Sequence, residues 1–121
     1  MANTFKVVTF AAEPASAGTP YVMYTVASST TTVVLGLVLT NINTTSVTAE
    51  VELVSDTANR NGTNNVANVT SFLVKDVNIP AGSSLEVLTG GKVVMETTDI
   101  LKIDCSVADK ISGTLSIMEI T

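Results

Sequence analysis

The feature that most constrains this chain is a two-residue period. Val47, Ala49, Val51 and Leu53 alternate with Thr48, Glu50, Glu52 and Val54, so an extended strand here turns one apolar row inward and holds two carboxylates in water. Leu101, Ile103, Cys105 and Val107 alternate in the same way with Lys102, Asp104 and Ser106. No long window places apolar residues at a 3.6-residue spacing, and Val and Thr, which suit a pleated surface, dominate. The chain is therefore expected to be all-β.

Strands are expected at Phe5 to Phe10, Tyr21 to Ala27, Thr31 to Asn41, Val47 to Ser55, Val66 to Ile79 with a break, Leu85 to Leu88, Lys92 to Glu96, Ile100 to Val107 and Gly113 to Thr121. About eight short strands suit a two-sheet antiparallel β-sandwich, jelly-roll or immunoglobulin-like, better than a single layer. The run Val33 to Leu39 is apolar at both parities, as in a central strand covered by a second sheet or by a neighbouring subunit. Gly90-Gly91 between two short apolar runs predicts a hairpin over Leu85 to Glu96. Further reversals are expected at Ile79 to Ser83, Thr97 to Asp99 and Ala108 to Lys110. The polar stretch Asp56 to Asn65 reads as a protruding loop. Residues 1–121 read as one domain, and the segment Met1 to Tyr24, with Pro14, Pro20 and small residues between them, reads as an extended N-terminal arm able to add a strand to a neighbour's sheet.

Composition narrows the function. Eleven acidic against six basic residues give a formal charge of -5, with no Lys/Arg cluster to neutralise phosphates, so no nucleic-acid partner is expected. The longest apolar run is far too short for a bilayer, and the N-terminus lacks the pattern of an export signal, so neither a membrane partner nor export is expected. The absence of histidine removes Ser-His-Asp and Cys-His devices and the usual zinc ligand sets. No Ser-x-x-Lys occurs, and Cys105, set in an apolar alternation, reads as a buried inert thiol. The carboxylates are scattered and read as solvated outward groups. No catalytic, cofactor or metal site is expected, and the chain is not expected to be an enzyme.

Two features bear on ligand chemistry. Asp56, Asn59, Asn61, Asn64 and Asn65 crowd one loop with Gly62, but Ala58 and Arg60 occupy alternate positions where a calcium loop needs oxygen ligands, and no glutamate closes it. Sugar binding favours exposed aromatic platforms, and the chain has no Trp and only Phe5, Phe10, Tyr21, Tyr24 and Phe72. The sequons at Asn43, Asn61 and Asn68 carry no weight without an export signal.

Taken in order, Gly36 to Asn41, the alternating strand Val47 to Leu53, Phe72 to Asp76, Ile79-Pro-Ala-Gly-Ser-Ser-Leu85, Asp99 to Lys102 and the terminal Met118-Glu-Ile-Thr121 resemble a group of short virion proteins of tailed phages, particularly those of cyanobacteria. The resemblance runs from Val33 to Thr121. It departs from the pattern at Thr98, where glycine is expected, and in the longer asparagine-rich loop. It implies a β-sandwich subunit of the particle: a decoration or cement protein that binds the major capsid protein on the head, or else a neck, tail or fibre connector made of contacts to other virion proteins. It implies a homo-oligomer; trimers at local three-fold positions are common in the class, and nothing in the residues fixes the number. A carbohydrate-binding attachment module is the reading from another class. Protein contacts are expected at Phe5, Phe10, Tyr21 and Tyr24 in the arm and at Asp56, Asn59, Arg60, Asn61 and Asn64 in the loop.

Overall fold

The computed structural model describes residues 2–55 and 69–121. Among the described residues there are nine strands and no helix: β1 (Asn3–Glu13), β2 (Tyr21–Thr25), β3 (Thr31–Asn41), β4 (Val47–Val54), β5 (Thr70–Ile79), β6 (Ser84–Glu86), β7 (Val93–Met95), β8 (Ile100–Cys105) and β9 (Ile111–Ile120). They form two antiparallel sheets, as the alternation predicts. The first has the order β1-β9-β3-β6, with β7 also on β3; the second has the order β2-β8-β4-β5.

The two sheets share one core. Leu37, Leu39, Ile111, Leu115 and Ile117 project from the first, and Met23, Val51, Leu101 and Ile103 from the second, all of them buried. Val47, Ala49 and Val51 are buried and Leu53 packs against them, while Glu50 and Glu52 lie on the opposite face. Cys105 is buried, and β8 ends there, so Val107 lies beyond the strand and is exposed. Asn41 is buried at the end of β3, yet its amide is satisfied: it donates to the carbonyls of Thr45 (3.0 Å) and Ile79 (2.9 Å) and accepts from the Asn43 amide (2.8 Å). That pins the β3–β4 connection to the end of β5.

Three expectations need correction. The N-terminal segment is not an arm in this chain: β1 pairs with β9 from Asn3 to Phe10 in unbroken register, and β2 pairs with β8. The physical reason is Phe10, whose buried ring packs on Tyr21 at 5.2 Å and fills the space over Gly113, where any Cβ would collide with it. The Leu85 to Glu96 hairpin also does not form. β6 and β7 pair with β3 rather than with each other, at Val38 to Thr40 and at Thr32 to Val34 respectively. They are two pieces of one interrupted edge strand, broken where β3 itself shifts register between Val34 and Gly36. Gly90, at φ 73°, turns the excursion between the pieces. Finally, Asp104 is not a solvated group: it is buried, and its Oδ1 accepts from the amides of Gly18 (3.1 Å) and Cys105 (2.8 Å).

The crossing from β7 to β8 carries the chain from one sheet to the other. Here Thr98, where glycine was expected, adopts φ 73°, the left-handed region in which a β-branched residue is strained. The tight geometry is held by Asp99, which donates its amide to Glu96 O and accepts the Glu96 amide on Oδ2, each at 3.0 Å.

Candidate functional site

The two outer faces of the sandwich are built from opposite materials. On the first sheet, register fixes which side chains share the outer face. Phe5 lies opposite Met118, Met118 opposite Val33, and Val33 opposite Val94, so an apolar row crosses β1, β9, β3 and β7. Phe5 is 71% exposed and Val94 61%. Around this row stand Val7, Thr9, Thr114, Ser116, Ile120, Val38 and Thr40, and the strands contribute a single charged side chain to the face, Glu86 opposite Val38. Its width comes from β3, whose apolar residues at both parities supply the core on one side and this face on the other. The inner half of that expectation is met by the second sheet; the outer half lies uncovered among the described residues.

The second sheet presents charge. Glu52 stands opposite Lys102, and Glu50 opposite Asp104. Like charges directly opposed are destabilising in a sheet, and both are engaged elsewhere: Asp104 by the two amides above, and Glu50 by Lys75 at 3.1 Å. Lys75 also lies 4.9 Å over the Phe72 ring and 3.5 Å from Asp76. Glu50, Asp76 and Asp104 border a cleft of about 170 Å³ with Gly18, Thr48, Cys105 and Ser106. Its carboxylates are occupied by backbone amides and by Lys75, an arrangement that fastens the β1–β2 connection to β8. Among the described residues no three acidic, Cys or His side chains are grouped to hold a metal ion, and no helix is long and apolar enough to cross a membrane.

A polar staple joins the sheets at one end. Glu119 on β9 receives Lys6 of β1 on Oε1 at 2.7 Å and the Tyr24 hydroxyl of β2 on Oε2 at 2.6 Å, and that hydroxyl also pairs with Thr32 of β3 at 2.7 Å. Burial, followed by the bond to the carboxylate, pushes the Tyr24 hydroxyl up to about 12. The Lys6 ammonium, followed by the Tyr24 hydroxyl, holds Glu119 below the usual carboxylate range.

Of the aromatic residues expected to make contacts, only Phe5 is strongly exposed. Phe10 is in the core, and Tyr21 and Tyr24 are half-buried against it. Asp56, Asn59, Arg60, Asn61 and Asn64 lie outside the described residues. Sequence reasoning missed Val7, Met118 and Val94 as members of a surface, because their partnership depends on strand order. The double-parity run in β3 was the signal that such a surface existed.

No protein-family profile and no curated protein matches this chain. It is similar to a solved chain from Bacillus endospore appendages, described as a family of disulfide-linked pili, with 16% identity, a TM-score of 0.48, and coverage of 99% of this chain and 87% of that one. So distant a likeness does not bear on role.

Proposed function

We propose that this chain is a non-enzymatic structural protein of a tailed-phage particle, a decoration or cement subunit that seats on the major capsid protein of the head. The observation that carries the reading is the outer face of the first sheet: broad, nearly free of charge, and crossed by the Phe5–Met118–Val33–Val94 row. Contact energy in protein interfaces comes from a few desolvated apolar or aromatic anchors rather than from rim ion pairs, and Phe5 and Val94 are the exposed anchors here. The resemblance of Val33 to Thr121 to short virion proteins supports the choice of partner.

The test is sedimentation of the purified protein with phage heads stripped of accessory proteins. Saturable co-sedimentation is expected, with the Val94→Glu variant losing at least about 30-fold in affinity, the loss of one hot-spot side chain of roughly 2 kcal/mol. Because Val94 is largely exposed, its replacement is expected to shift the thermal midpoint little, by the loss of one cross-strand contact at about 0.2–1 kcal/mol. Binding to neck or tail assemblies alone transfers the role to a connector, and binding to neither particle part overturns the proposal.

A further inference from the structure

Every open sheet offers edges, and natural proteins blunt those they do not use. Of the four sheet edges among the described residues, three are blunted. The β6/β7 edge is cut into two three-residue pieces. The β2 edge has five residues and a register shift between Val22 and Tyr24. The β5 edge shifts register twice against β4 and carries Lys75 beside Asp76, the latter at φ 50°. β1 shifts register against β9 only beyond Phe10, before Glu13. From Asn3 to Phe10 it is regular, contains no proline, and bears one charge, Lys6, which pairs with Glu119.

The hydrogen-bond phase of β1 specifies what that edge presents. Ala2 and Thr121 exchange both backbone bonds, at 3.0 and 2.9 Å, and so form a hydrogen-bonded pair. In an antiparallel ladder such pairs alternate with non-bonded ones. Thr4, Lys6, Val8 and Phe10 therefore spend their N–H and C=O groups on β9, and those of Asn3, Phe5, Val7 and Thr9 point away from it. The same odd-numbered residues carry the side chains of the apolar outer face, with Val7 63% exposed.

We propose that β1 is the pairing edge for β1 of a second copy, antiparallel about a two-fold axis at Val7, so that the first sheet runs continuously through both subunits. Centring on Val7 places Val7 opposite Val7, Phe5 opposite Thr9 and Lys6 opposite Val8. Bonding groups meet bonding groups, outer side chains stay on the outer face, and the two lysines do not face each other. A second copy is the occupant because the edge is self-complementary and because two chains of charge -5 meet there along a strand that shows no acid from Asn3 to Ala12. The blunting of the other edges closes the pair instead of propagating a fibre. This contact is argued from the edge alone and stands apart from the head-binding reading; it points to pairs, where the resemblance leaves the number of subunits open.

Sedimentation equilibrium of the full chain tests it. The unmodified protein is expected to be dimeric across the micromolar range. Val7→Pro removes an N–H that points to the free edge and none that β9 uses, so it is expected to be monomeric with an unchanged far-ultraviolet spectrum. Should that variant fail to fold, Val7→Cys decides: in a hydrogen-bonded pair the two Cα atoms lie about 5.5 Å apart, within disulfide reach, and mild oxidation is expected to give a covalent dimer. Thr9→Cys is the register control, because its copies would lie roughly 14 Å apart and should remain unlinked. A monomeric parent, a dimeric Val7→Pro variant, or equal cross-linking through positions 7 and 9 overturns the inference.

Discussion

The two sheets of this sandwich have the same interior and opposite exteriors. Inside, both offer Leu, Ile, Val and Met to one core. Outside, β2-β8-β4-β5 shows Glu50, Glu52, Lys75, Asp76 and Lys102 over bulged or short edges, whereas β1-β9-β3 shows Thr, Ser, Val, Phe and Met and leaves its edge strand regular. The difference teaches where association is permitted. A charged face with opposed Glu and Lys is specific to its own partners across the ladder and costly to desolvate. An uncharged face loses little on leaving water and gains from the apolar area it hides.

Three substitutions break or sharpen that contrast. The largest effect is expected at Gly113, where β1 is seated on the uncharged sheet: Gly113→Ala drives a Cβ into the Phe10 ring, itself backed by Tyr21. Overpacking of this kind costs about 1–3 kcal/mol. Urea unfolding measures the loss, and amide exchange over residues 3–10 is expected to accelerate first, because the face cannot keep Phe5 and Val7 in place once β1 lifts.

A smaller effect of opposite sign is expected at the crossing between sheets. Thr98→Gly relieves a left-handed β-branched residue, and after the greater freedom of glycine in the unfolded chain is deducted the net gain is roughly 1 kcal/mol. It should appear as a higher denaturation midpoint with an unchanged slope. The smallest effect concerns the charged exterior: Lys102→Glu sets like charges opposite Glu52 and costs about 0.2–1 kcal/mol. That loss should shrink in high salt, and a salt-independent loss would mean that Lys102 serves packing instead of charge balance.

The interior was legible in the sequence because side-chain period is a local property. Val47 to Leu53 and Leu101 to Cys105 announced their buried rows directly, and β3 falls on the expected residues, Thr31 to Asn41. Strand order was not legible. Gly90-Gly91 marks a chain reversal without saying which strand its flanks will bond, and β3 is long enough to take both on one edge. The N-terminal segment was opaque for a different reason. In β1 the large apolar residues Phe5 and Val7 face outward while Lys6, half exposed at the sheet edge, has the inner parity and pairs with Glu119 from a distant part of the sequence. The outer face was half legible: β3 showed apolar residues on both its sides, but Phe5, Met118 and Val94 join it through pairings between distant segments.

The pairing of β1 with β9 also sets a timetable for synthesis. Of the nine strands described, the earliest made is completed by the latest made, and at translation speeds of about 5–20 residues per second Phe5 and Val7 spend several seconds without the ladder that will hold them. Neighbouring nascent chains on one message pass through that interval side by side. A long-range pairing of this kind forms late in folding, and slower elongation between β1 and β9 lengthens the time in which β1 is unpaired.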